Sequence, residues 1–106
     1  MDLNNIKLVK GNFKKTIPEF FKKNPNKKIF TANIDCDLFE SYKIVFKYVW
    51  EKLSKKGIIY LDEYYSLKFP GARIATNQFF DKIKIKPKRI KTWETDFERW
   101  YIKKVN

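Results

Sequence analysis

Apolar residues change their spacing several times along this chain, and each change predicts an element. Ile6-Lys7-Leu8-Val9-Lys10 predicts a short strand closed by Gly11. Thr16-Ile17-Pro18-Glu19 has the form of a capping box, with Thr16 at the N-cap, Glu19 three residues on and Pro18 in the first turn. It predicts a helix with Ile17, Phe20 and Phe21 on its apolar side, ended by Asn24-Pro25-Asn26. Lys28 to Ile34 reads as a strand. Phe39, Tyr42, Phe46, Val49, Trp50 and Leu53 recur at helical spacing and predict an amphipathic helix through Lys56, with Gly57 as its stop. Ile58 to Leu61 is continuously apolar, as in a strand buried on both faces. After Pro70-Gly71 a helix is predicted over 72–84, with Ala72, Ala75, Phe79, Phe80 and Ile83 inward. Lys88 to Trp93 and Phe97 to Val105 alternate and are split by Glu94-Thr95-Asp96, the pattern of an antiparallel hairpin onto which Trp93, Trp100 and Tyr101 pack.

Strands that alternate with helices imply right-handed crossovers and a mostly parallel sheet, closed here by the hairpin. The 106 residues make a single α/β domain, 1–106, with no internal repeat or linker. Hydrophobic residues are 43% of the chain and aromatic ones 18%, enough for a packed core. No apolar run approaches the ~20 residues of a membrane span. One cysteine, Cys36, allows no internal disulfide and fits a reducing cytoplasm. Histidine is absent, which removes His-based triads and the commonest general base.

A formal charge of +12 invites a nucleic-acid partner. Only Arg73, Arg89 and Arg99 of the 24 basic residues are arginine, and the lysines are spread over the whole chain. Phosphate and base recognition favours arginine forks, so the composition argues against a basic nucleic-acid-binding module, which is kept as an alternative.

The acids are placed differently. Five of the 12, Asp35, Asp37, Glu40, Asp62 and Glu63, fall in two short segments that each follow an apolar run: Ile34-Asp35-Cys36-Asp37-Leu38-Phe39-Glu40-Ser41 and Gly57-Ile58-Ile59-Tyr60-Leu61-Asp62-Glu63-Tyr64. Acids after buried parallel strands lie on the carboxyl edge of the sheet, where open α/β folds bind ligands, and clustered carboxylates suit a hard metal ion. The same acids could instead cap the helices that follow them; for Asp37, capping and substrate contact both stand.

Both segments resemble signatures of the macrocin-type sugar O-methyltransferases. Residues 34–41 resemble "hIDxDLYEST" and 57–64 resemble "GGxhhhDDY". Pro70-Gly71-Ala72-Arg73-Ile74-Ala75 resembles "pGxrxAv", and Lys10-Gly11-Asn12-Phe13-Lys14-Lys15-Thr16-Ile17-Pro18 resembles "kGxFxxTlp". The four motifs come in family order and cover about residues 6–85.

The resemblance implies a class I, Rossmann-like methyltransferase using S-adenosylmethionine and Mg²⁺, with a sugar or macrolide-sugar hydroxyl as acceptor. It implies metal binding by Asp35, Asp62 and Glu63, a catalytic-base role for Asp35, and acceptor contacts from Asp37 and Tyr64. The sequence departs from the family at Glu63 (usually Asp), Phe39 (usually Tyr), Tyr42 (usually Thr) and Lys56 (usually Gly). It also contains no Gly-rich turn and no ribose-binding acid, so the cofactor-binding residues are unassigned. By this comparison the chain corresponds to the C-terminal half of the fold, lacking the first two strands, a truncated or split form. It could equally be a non-catalytic remnant or a complementing subunit. Partners expected are a small sugar-containing acceptor, a separate N-terminal half or a homo-oligomer, and no membrane. With the first strands missing, Ile6–Lys10 is expected either to pair with Lys28–Ile34 or to leave an edge through which chains associate.

Overall fold

The computed structural model describes residues 5–36, 38–61, 64, 70–90 and 99–105. Helix α1 spans Phe13–Lys23, strand β1 Ile29–Ile34, helix α2 Phe39–Lys52, strand β2 Leu53–Leu61, helix α3 Gly71–Asp81, strand β3 Lys88–Ile90 and strand β4 Arg99–Lys103. The four strands form one open sheet in the order β1-β2-β4-β3. β1 and β2 run parallel, whereas β4 is antiparallel to both β2 and β3. The α/β class and the closing hairpin are as expected. The hairpin's turn and Trp93 lie outside the described residues.

β1 and β2 meet at their carboxyl ends, where Asn33 pairs with Tyr60 and Ile34 with Leu61. Ala32, Ile34, Ile59, Leu61, Ile102 and Trp100 face α2 and α3. The core is aromatic. The Phe46 ring lies 5.7 Å from Tyr42, 5.7 Å from Phe79 and 5.1 Å from Phe80, and Trp50 reaches Phe80 edge-on at 5.1 Å. Edge-to-face contacts bring the positive ring edge onto a negative face, adding to the stabilisation from burial.

Several sequence expectations are corrected. Thr16 is not the N-cap: Asn12 is, its Oδ1 accepting the Lys14 amide at 2.9 Å, and the helix begins at Phe13. Thr16 sits a turn further on, its hydroxyl donating to the Asn12 carbonyl at 3.1 Å. Gly11 permits this start, with φ 136° and a position where any Cβ would stand 2.7 Å from Thr16 Cγ2. Pro18 is consequently inside the helix.

α2 ends at Lys52, not Lys56, and Gly57 is not its stop. Residues 53–57 belong to β2, because Lys56 donates to the Lys104 carbonyl and Lys104 to the Gly57 carbonyl. Lys56 adopts the left-handed conformation, φ 68°. A Cβ on Gly57 would lie 2.8 Å from both Leu53 Cγ and the Ser54 carbonyl, so close approach explains this glycine. Ile83, expected inward, lies beyond α3 and is 43% exposed. Residues 6–10 have the alternation of a strand but no strand beside them; they form none, and Leu8 is 92% exposed. The gap beside β1 is therefore not closed by that segment.

Candidate functional site

The parallel register of β1 and β2 builds the site. Ile34 and Leu61 are paired and buried, and in sequence each is followed at once by an acidic segment, Asp35 after Ile34 and Asp62-Glu63 after Leu61. Adjacent strands thus end level with each other at the sheet's carboxyl edge, where both acidic segments begin. Asp35 is solvent-exposed, its carboxylate open to a ligand. Asp37, Asp62 and Glu63 lie outside the described residues, and among those described no three acidic, cysteine or histidine side chains cluster.

Two helices begin beside this edge. α2 starts at Phe39, four residues after Asp35, and α3 starts at Gly71. Their first turns touch, since a Cβ on Gly71 would lie 3.0 Å from the Phe39 amide nitrogen and Cβ. Both helices direct the positive ends of their dipoles here, which favours negative charge on the adjacent carboxylates. Side-chain caps are not the means at α2, where the N-cap Leu38 supplies no side-chain bond.

Two tyrosines brace the edge from below. Tyr42, fully buried, places its hydroxyl 3.4 Å from the Ile34 carbonyl, one residue before Asp35. Tyr64 is 8% exposed, donates its hydroxyl to Asn77 Oδ1 at 2.7 Å and stacks on Trp100 with ring centroids 5.0 Å apart. The pair Asp62-Glu63 is therefore held between two buried anchors, Leu61 and Tyr64. This placement ties the Tyr64 hydroxyl to α3 and makes it a brace for the acidic segment, where the sequence suggested an acceptor contact. Asn77 and Tyr42 were not singled out as site-supporting residues. Tyr42 could be read only as part of the core stripe, and Asn77 carries no local signal because its partner is 13 residues away.

All three glycines serve packing: Gly11 beneath Thr16, Gly57 against Leu53 and Gly71 against Phe39. None opens a turn that would let backbone approach a nucleotide, so this chain's residues do not fit a cofactor cradle of that kind. The carboxyl edge does fit a hard cation in the chemistry of its donors, through the exposed Asp35 at a strand end paired with the strand that leads into Asp62-Glu63.

Comparison with known proteins bears on the same region. The profile of the macrocin O-methyltransferase (TylF) family matches residues 1–99. The search of curated proteins returns no match. Among solved structures, the chain is similar to CalS11 in its apo form, described as a TDP-rhamnose 3′-O-methyltransferase of calicheamicin biosynthesis, with TM-score 0.79 and 27% identity over 91% of this chain and 40% of that one. A second CalS11 structure gives TM-score 0.78 at 27% identity, covering 91% of this chain and 36% of that one. The O-methyltransferase NovP shares the fold with TM-score 0.69 at 23% identity, covering 89% of this chain and 35% of that one. The chain thus spans well under half the length of these structural neighbours. No helix among the described residues is long and apolar enough to cross a membrane.

Proposed function

The chain belongs to the macrocin O-methyltransferase family, and on that premise we propose that it forms the acceptor-side carboxyl edge of an S-adenosylmethionine-dependent sugar O-methyltransferase. The supporting observation is the pairing of Ile34 with Leu61, which ends β1 and β2 level where the two acidic segments start. CalS11, described as acting on TDP-rhamnose, makes a nucleotide sugar or a sugar-bearing product the acceptor class to try first.

In this reading Asp35, Asp62 and Glu63 would hold Mg²⁺, and the ion's chemistry would be to lower the pKa of an acceptor hydroxyl beside it. Asp35 accepts the hydroxyl proton, since the chain has no histidine and this exposed carboxylate leads the edge. Tyr42 and Tyr64 fix the two strand ends on which the carboxylates stand. Asp37 contacts the acceptor. S-adenosylmethionine supplies the methyl group, and its ribose and amino-acid portion are gripped by parts of the domain beyond this chain. Transfer depends on positioning, with reacting atoms within about 3–3.5 Å, so the edge alone does not suffice for turnover. A second reading, a non-catalytic remnant or complementing subunit, is favoured by the same missing glycine turn.

Calorimetric titration of the 106-residue chain with S-adenosylmethionine, with and without Mg²⁺, is the first test. Weak Mg²⁺ binding without cofactor binding is expected. A radiolabelled methyl-transfer assay over a panel of sugar acceptors completes it, with no turnover expected from the chain alone. Robust turnover by the isolated chain, abolished by Asp35→Ala, would show that these residues grip the cofactor after all.

A further inference from the structure

On the β1 side the helix layer extends past the sheet. α2 packs on α3 at one flank and on α1 at the other, and α2 is the helix that meets β1, the end strand. α1 therefore lies outboard of β1. Its sequence is amphipathic, yet none of its residues is buried. Phe13, Ile17, Phe20 and Phe21 of α1, with Val9 and Val49, line an open groove of about 340 Å³. An amphipathic helix is ordinarily stabilised by covering its apolar face, and this face lacks such a cover among the described residues.

Beside the groove, the outer side of β1 carries no strand among the described residues. Its sequence, Ile-Phe-Thr-Ala-Asn-Ile, contains neither a charge nor a proline, although charged residues make up 34% of the chain. Natural edge strands are commonly blunted by lysine, proline or a bulge that turns the edge away. Phe30 in the middle of this edge is 68% exposed.

We propose that the β1 edge and the groove under α1 form one docking surface for a β-strand donated by a polypeptide carrying the part of a methyltransferase domain that this chain does not span. The strand pairs along Ile29–Ile34, and its side chains on the helix side fill the groove. The partner's identity rests on the methyltransferase reading; the surface itself does not. Its length is one argument: this chain superposes on CalS11 with TM-score 0.79 yet covers only 40% of it, so the matched region there belongs to a much longer polypeptide. Geometry is the other. If β1 paired antiparallel with its own copy, the two-fold axis would stand perpendicular to the sheet and place both helix layers on one face. The outboard α1 helices would then compete for the same space. A donated strand with no helix of its own on that face avoids this conflict. The chain's charge of +12, with Lys7 also on the groove, favours an acidic donor.

The probe is the segment of CalS11 outside the matched region, produced as a separate polypeptide and mixed with this chain. Sedimentation reads stoichiometry, and hydrogen exchange reads the amides of 29–34. Expected are a monomer alone with fast exchange in 29–34, a one-to-one complex on mixing, and protection of those amides within it. Thr31→Lys at the edge and Phe13→Asp in the groove alter exposed residues, so folding should persist by circular dichroism while affinity falls at least about tenfold, equivalent to about 1.4 kcal/mol. The proposal is overturned if no complex forms, if 29–34 stays unprotected in it, or if both variants bind like the parent. Self-association of the chain alone that protects 29–34 would also overturn it, making a second copy the occupant. A complex without methyl transfer would count against the catalytic reading only; methyl transfer by the uncomplexed chain would count against the docking surface.

Discussion

Tyr64→Phe removes one oxygen and tests whether the acidic pair is braced from α3. The hydroxyl donates to Asn77 Oδ1 at 2.7 Å, across from a ring that also stacks on Trp100. A phenylalanine keeps the stacking and the volume, so the change isolates the hydrogen bond. A neutral intramolecular bond contributes a net ~0.5–1.5 kcal/mol, because unfolding returns both partners to water. Asn77 is only half-buried, so its freed carbonyl can recover a water, and the full penalty of a buried unsatisfied acceptor does not apply. The expected loss is about 1 kcal/mol, which lowers the urea midpoint by roughly 0.5 M at an m-value of about 2 kcal/mol/M. Equilibrium urea unfolding of the parent, Tyr64→Phe, Asn77→Ala and the double variant closes a cycle whose coupling energy should also be about 1 kcal/mol. A coupling indistinguishable from zero would refute the bond as a brace. If the brace also orders the neighbouring carboxylates, Tyr64→Phe should weaken Mg²⁺ binding without changing any proposed ligand.

Asp62→Asn should weaken Mg²⁺ binding more than Asp37→Asn, and Asp35→Asn should weaken it as well; equal calorimetric affinities for all three and the parent would remove the metal assignment. Lys56→Gly should raise stability by up to ~1 kcal/mol, since a side chain in the left-handed conformation is strained and glycine is not, although glycine gives back part of that gain in the unfolded chain; thermal unfolding at or below the parent's midpoint would contradict this. Phe46→Ala should cost ~3–5 kcal/mol by leaving a cavity among Tyr42, Phe79 and Phe80, enough to unfold a marginal domain, and a chemical-denaturation loss under 1 kcal/mol would show that the core collapses around it.

The sequence by itself determined those elements whose periodicity is local. The stripe from Phe39 to Trp50 reads as a helix because residues three and four apart share a face, and β1 and the end of β2 read as strands because short apolar runs between polar breaks suit a buried sheet. It also marked both acidic segments and their family likeness. Tertiary structure decided what depended on a distant partner. Residues 53–57 look helical by spacing, yet the tail residue Lys104 bonds on both sides of the Lys56–Gly57 link and draws them into β2. Ile6–Lys10 has the alternation of a strand but stays unpaired, since a strand is completed by its neighbour's backbone. The level ending of β1 and β2 arises from a parallel register spanning 27 positions, and the brace on Tyr64 from an asparagine a helix away. Side-chain spacing cannot encode either, because register and long-range hydrogen bonds are fixed only when separate segments pack together.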